Sequence, residues 1–212
     1  MPRYENIKKV LVIGSGGIVI AQVKRLAQAK SLSGKLVKVP HTMVDHIVVH
    51  PNQWQSVESE YNPAYSGEVS DLLAADASDV RGLFDVAVGG LLATVRAALP
   101  DLQKTKGAVL VANGGFGNLD PMTDAYVVKM GAMGLALSDA TKDKLVGILS
   151  ERLKRDGVYV GEVIVVGPVK GTASEKSGVG KEIGPTIEPA RIASTFWRLL
   201  ERRDEIRARV TP

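Results

Sequence analysis

The stretch that decides the fold is GAVLVANGGFGNLDPMTDAYVVKMGAMGLALSDATKDKLVGILSERLKRDGVYVGEVIVVGPVKGT, residues 107–172. It opens with a short apolar run, Ala108–Ala112, that ends in the flexible turn Asn113-Gly114-Gly115-Phe116-Gly117. An apolar run of that length bounded by turn residues reads as a buried strand. Helical periodicity is clearest from Gly134 to Leu153. Asp156-Gly157 ends that helix, because glycine readily takes the left-handed conformation a helix stop requires. Val158–Val166 is a stronger apolar strand and runs into Gly167-Pro168-Val169-Lys170-Gly171-Thr172. Strand, helix and strand in that order form the repeating unit of a parallel sheet.

Working outward, Lys9–Ile13 reads as a strand stopped at Gly14, and a helical period follows from Val19 to Lys30. Ser33-Gly34 breaks that helix, and Lys35–Val39 alternates as a strand near a sheet edge does. Asp45–His50 reads as a second buried strand, stopped by Pro51-Asn52. Gln53–Asp76 has no clean period and reads as a loop. Ser78 is the expected N-cap of a helix from Asp79 to about Leu99, closed by Pro100. Its glycines, Gly82, Gly89 and Gly90, imply close packing against a neighbouring helix. Thr172–Pro185 reads as a loop. A last helix from about Glu188 to Arg202 turns Ile192, Phe196, Leu199 and Leu200 inward. The expected architecture is one α/β domain over residues 1–212, a Rossmann-like doubly wound parallel sheet abbreviated in its N-terminal half. Ligands of such sheets sit at the carboxyl ends of the strands. Four places should therefore converge: Gly14–Gly17, His50–Asn52, Asn113–Gly117 and Gly167–Thr172.

The net charge of +4 is unevenly spread. Between Asn6 and Val44 no residue is acidic, while Lys8, Lys9, Lys24, Arg25, Lys30, Lys35 and Lys38 are basic. That pattern serves either as a solvated face or as attraction for an anionic small molecule. Nucleic acid is not expected, because aromatics are not interleaved with this stretch. Without cysteine the chain has neither disulfides nor thiolate metal sites, which fits a cytoplasmic protein. No apolar run long enough for a bilayer stands out, and the N-terminus lacks the core of a signal peptide. All three histidines, His41, His46 and His50, fall close together. On a strand, residues four apart are separated by about 13 Å, too far for two ligands of one ion, so no metal is expected. His50, at the end of a central strand, has the imidazole chemistry for acid–base work near neutral pH. It reads equally as a turn histidine satisfied by backbone.

Gly107–Thr172 resembles the C-terminal half of a short-chain dehydrogenase/reductase. Phe84-Asp85-Val86-Ala87-Val88-Gly89 is similar to the family's Phe-Asp-Val-Asn-x-x-Gly helix, with Ala87 at the asparagine position. Asp45–Val49 resembles its fourth strand, and Gly167–Thr172 its Pro-Gly-x-x-x-Thr segment with the first two residues exchanged. The resemblance implies NAD(P) held by a glycine loop, here Gly14, Ser15, Gly16 and Gly17, with Thr172 on the nicotinamide amide. It also implies a Tyr-x-x-x-Lys pair, and the chain departs from the family there. Tyr4–Lys8 is the one match to that pattern, and it precedes the first strand. The family's serine position falls on Gly114, beside Asn113. Counted forward from the turn, the tyrosine is Tyr126 and the lysine position holds Met130. Counted back from Gly157, the two positions are Leu135 and Asp139, and one turn on they are Ser138 and Lys142. The mismatch implies an insertion around Met130–Gly134. Lys129, on the same helical face as Tyr126, is a substitute for the missing lysine. In the glycine loop, Gly-x-x-x-Gly-x-Gly aligned at Gly14 places Ile18 and Ile20 at the later glycines, where branched side chains crowd a dinucleotide. No acidic residue stands about 20 positions on to hold a ribose, although the basic residues suit a 2′-phosphate.

Three functional readings remain. The first is a dehydrogenase scaffold that has lost redox chemistry and works without a cofactor by isomerisation, cyclisation or elimination, with His50 and Tyr126 as the acid–base pair and Asn113 polarising a carbonyl. The second is an NADPH-dependent oxidoreductase with degenerate motifs, NADP being the possible cofactor and Tyr126 with Lys129 facing the nicotinamide. The third is a non-catalytic binding or partner subunit, paired as a homodimer or homotetramer through the helices at 79–99 and 134–155.

Overall fold

The computed structural model describes Val10–Gly14, Asp45–Val49 and residues 69–171 and 184–212. Five strands form one sheet: β1 (Val10–Gly14), β2 (Asp45–Val49), β3 (Ala108–Gly114), β4 (Tyr159–Val165) and β5 (Arg207–Val210), in the order β2-β1-β3-β4-β5. Four helices are described. They are α1 (Ala77–Thr105), α2 (Pro121–Lys129), α3 (Met133–Leu153) and α4 (Pro189–Arg202). From β1 the chain order runs β3, β4, β5 to one side, and each of those pairs is parallel.

β3 and β4 are buried along nearly their whole length because both faces are covered. On β3, Ala108, Leu110 and Ala112 join Val163, Val165, Phe196, Leu199 and Leu200 beneath α4. The alternate residues Val109 and Val111 join Leu91, Val95 and Leu102 of α1 and Val146, Leu149 and Leu153 of α3. That period of two sorts one strand between two cores, and the doubly wound α/β architecture follows.

β2 corrects one expectation. It runs antiparallel to β1, with Val10 opposite Val49 and Gly14 opposite Asp45, and β3 pairs directly with β1. It is therefore not a central parallel strand between them. An apolar run such as Ile47-Val48-Val49 favours a sheet but does not encode direction.

α1 also differs from its expected bounds. Asp76, not Ser78, is the N-cap residue, and the helix passes Pro100 to end at Thr105. The proline costs a single backbone bond, while Leu102 beyond it is buried in the α1–α3 core and favours continuation. Lys106 in the left-handed conformation then closes the helix, with Gly107 N–H donating to the Leu102 carbonyl. A π-helical segment, Asp85–Gly90, interrupts α1 where the family resemblance places its asparagine position, Ala87. Gly90 there is buried, but Gly89 is exposed, so tight packing does not explain all three glycines. By length and composition alone α1 is long and apolar enough for a bilayer, but its Leu91, Val95, Ala98 and Leu102 face packs on the sheet as a core helix does.

The expected insertion near Met130–Gly134 is a helix break. α2 stops at Lys129, Gly131 takes φ 60°, and α3 starts at Met133. Gly134 then lies against Val69 and donates its N–H to the Val69 carbonyl.

Candidate functional site

The carboxyl end of β3 carries Asn113 and Gly114, and the first turns of α3 lie across it. Asn113 is buried and its Nδ2 donates to the backbone carbonyl of Asp139 at 2.9 Å. A Cβ on Gly114 would stand 2.2 Å from Asp139 Oδ2, and one on Gly117 would stand 2.3 Å from the Ala140 nitrogen. Both glycines are therefore required by the closeness of α3, not by the turn alone. Asp139 is 1% exposed. The N–H groups of Gly114 and Phe116 face its carboxylate, yet among the described residues neither oxygen completes a hydrogen bond of ordinary geometry.

The cation beside it is Lys142, whose Nζ is 3.7 Å from Asp139 Oδ1, with both side chains buried. Burial pushes the Asp139 carboxyl above its ordinary range, and the Lys142 charge opposes that shift. Ser138, one residue earlier, is buried on the same side. Ser138 and Lys142 hold the spacing of the family's Tyr-x-x-x-Lys positions, and the Asp139 carboxylate fills the space into which a side chain at Gly114 would grow.

The expected site residues are distributed as follows. Asn113 lies in this arrangement. Tyr126 is half-buried on α2, its ring tilted 47° to that of Phe116 at 6.1 Å, so it reaches the same turn from the other side. Lys129 is exposed in the last turn of α2, and the buried lysine near the turn is Lys142. Gly14 ends β1 beside β3, since Ile13 pairs with Val111. His50, Ser15, Gly16, Gly17 and Thr172 lie outside the described residues. Val49, which precedes His50, is opposite Val10, at the amino end of β1 and away from Asn113.

A second set of polar groups lies under the same helix. Glu162, in mid-β4 opposite Val111, is 0% exposed. Arg207 of β5 approaches it with Nε 3.5 Å from Oε2 while also binding the carboxylate of Asp143 on α3. Burial raises the Glu162 carboxyl to about 8, reinforced by the nearby Asp143 charge. Asp139 and Lys142 entered the sequence reading only as alternative registers of the helix before Gly157, and Glu162 did not enter it. One signal was available for Lys142: continuing the buried stripe Leu153, Leu149, Val146 backward in helical steps lands on Lys142 and then Ser138. Glu162 announces itself as the one acid inside the apolar run Val158–Val166.

No protein-family model matches the chain. Among solved structures, it superposes on a short-chain dehydrogenase from Burkholderia cenocepacia J2315 in complex with NADP, with a TM-score of 0.65 over 99% of this chain and 90% of that one, at 15% identity. An oxidoreductase of the same family from Brucella ovis, in complex with a partially ordered NAD, gives 0.60 over 96% and 100% of the two chains at 13% identity. A short-chain dehydrogenase from Streptomyces avermitilis gives 0.57 over 96% and 89% at 15% identity. The chain has the short-chain dehydrogenase/reductase fold. Among curated proteins, a caffeate CoA-transferase from Acetobacterium woodii is 41% identical over 64 residues. That match takes in 29% of this chain and 12% of the transferase, so the chain spans about an eighth of the relative's length.

Proposed function

We propose that the chain is an NADP-linked oxidoreductase on the short-chain dehydrogenase scaffold, with the buried Asp139–Lys142 pair in place of the family's tyrosine and lysine. The observation that carries this reading is that pair, wedged beneath the turn at the carboxyl end of β3. The fold supports it, because solved structures of that fold are described with NADP and NAD. Nothing in these likenesses favours chemistry without a nucleotide, so the cofactor-free reading is set aside. The basic stretch between Asn6 and Val44, with no acid to hold a free ribose hydroxyl, supports the 2′-phosphorylated nucleotide.

The residues fit such a group in one respect: among the described residues the Asp139 oxygens are buried polar atoms without a hydrogen bond of ordinary geometry. Gly14, Ser15, Gly16 and Gly17 would hold the phosphates and Thr172 the amide end. When bound, the nicotinamide gives or takes the hydride. The chain's part is the proton. In the reducing direction the Asp139 carboxyl, kept toward its neutral form by burial, gives its proton to the oxygen of a carbonyl substrate. The Lys142 ammonium then stabilises the carboxylate left behind. Asn113 fixes the Asp139 backbone, and Tyr126 forms a polar wall with Phe116.

Calorimetric titration of the full chain with NADPH and with NADH tests the reading. Micromolar NADPH binding that exceeds NADH binding is expected. No heat with either nucleotide at millimolar concentration would contradict it.

A further inference from the structure

Beyond the Asp139–Lys142 pair, the lower half of the α3–sheet contact holds a cluster that the proposed chemistry does not use. Glu162 and Arg207 are cross-strand partners on β4 and β5, and the Glu162 N–H donates to the Ile206 carbonyl at 2.7 Å. Arg207 reaches over to α3, where its Nε binds the Asp143 carboxylate and its Nη2 donates to the Asp143 backbone carbonyl at 2.8 Å. One guanidinium therefore serves two carboxylates, 3.5 Å from Glu162 and in direct contact with Asp143. Among the described residues neither Glu162 oxygen has a hydrogen-bond partner of ordinary geometry. Asn113, from β3, is the neutral neighbour, and its own Oδ1 is also without such a partner.

We propose that Glu162, Asp143 and Arg207 form a proton-operated latch that ties α3 to β4 and β5, closed while Glu162 holds its proton and loosened when that proton leaves. The charge balance requires it. With both acids ionised, a single arginine faces two negative charges, one of them fully buried, and that is costly. With one proton retained, the carboxyl hydrogen has Asp143 or Asn113 Oδ1 as acceptor, and the arginine faces a net charge of one. Among the described residues the groups facing Glu162 are Asp143 from α3, Arg207 from β5 and the Asn113 amide from β3. Asp139 and Lys142 lie one turn earlier on α3, with Lys142 Nζ 3.7 Å from Asp139 Oδ1. Asp143 has a side chain 39% exposed and gives the proton a route to solvent. It also follows Lys142 directly, so movement of the latch is felt at the candidate site.

The direction of the pH effect is fixed. A glutamate raised from 4.5 to about 8 keeps its proton in the folded chain after the unfolded chain has lost it. Stability from this group is complete below 4.5, falls as the pH rises toward 8, and levels off above that.

The experiment compares the melting temperature of the full wild-type chain with Glu162→Gln between pH 5.5 and 9, with hydrogen exchange of α3 and β5 at both ends. The expected result is that the variant's advantage over wild type grows by several degrees toward pH 9, while wild-type α3 and β5 lose exchange protection there. A difference that is the same at pH 5.5 and pH 9 would overturn the latch. Should Glu162→Gln fail to fold, Asp143→Asn serves instead. It removes the second acid, and the alkaline loss of protection is expected to shrink. An unchanged alkaline loss in Asp143→Asn would equally overturn it.

Discussion

On the α4 side of the sheet, Leu110, Val163 and Val165 meet Phe196, Leu199 and Leu200, a contact closed by apolar side chains alone. On the α3 side, the same strands present Asn113 and Glu162, and the helix answers with Ser138, Asp139 and Lys142. α3 itself is divided. Its C-terminal half buries Val146, Leu149 and Leu153 like any core helix, whereas its N-terminal half buries polar groups. Burying polar and charged groups costs free energy that apolar residues of similar volume would not cost. Among the described residues the two buried acids, Asp139 and Glu162, both lie on the α3 side.

The comparison is broken most severely on the apolar side. Phe196→Ala removes a fully buried ring, and a loss of about 3–5 kcal/mol is expected, equal at pH 6 and pH 8.5 because no titrating group is involved. Denaturant unfolding at the two pH values checks it. A loss that varied strongly with pH would show that the two faces are not separable.

The next test sharpens the polar side. Gly114→Ser places a side chain where the Asp139 carboxylate lies, and a loss of about 1–3 kcal/mol from overpacking is expected. Combined with Asp139→Ala, the same serine should be accommodated, so the double variant should be more stable than the sum of the singles. Additive losses would mean that the Asp139 carboxylate does not limit the space at residue 114.

The difference between the faces also sets what the sequence revealed. The apolar side was legible: the strand at Ala108–Ala112 and the inward set Ile192, Phe196, Leu199 and Leu200 are seen as expected. So was the interruption near Met130, since two ways of counting the same helix disagreed there. The direction of β2 was not legible, because Ile47-Val48-Val49 favours a strand of either sense. The end of α1 was misplaced because Pro100 was weighed locally, and the burial of Leu102 is a tertiary effect. The polar site was half legible. Asn113 and Tyr126 were named from the turn they flank, while Lys142 and Asp139 appeared only as alternative registers, because charged residues on a helix are ordinarily solvated. Only the sheet beneath α3 reveals that these two are not.

The smallest expected effect bears on the central claim, that the polar face of α3 is a nucleotide-linked site. Lys142→Met keeps the length of the side chain and removes its charge. The most direct measurement is the NADPH dissociation constant of the full chain beside that of Lys142→Met at pH 7. The account predicts micromolar binding by the wild type and a weakening of about tenfold or more in the variant, the scale of one charged hydrogen bond. Equal affinity in the two proteins would contradict the assignment of Lys142 to the site.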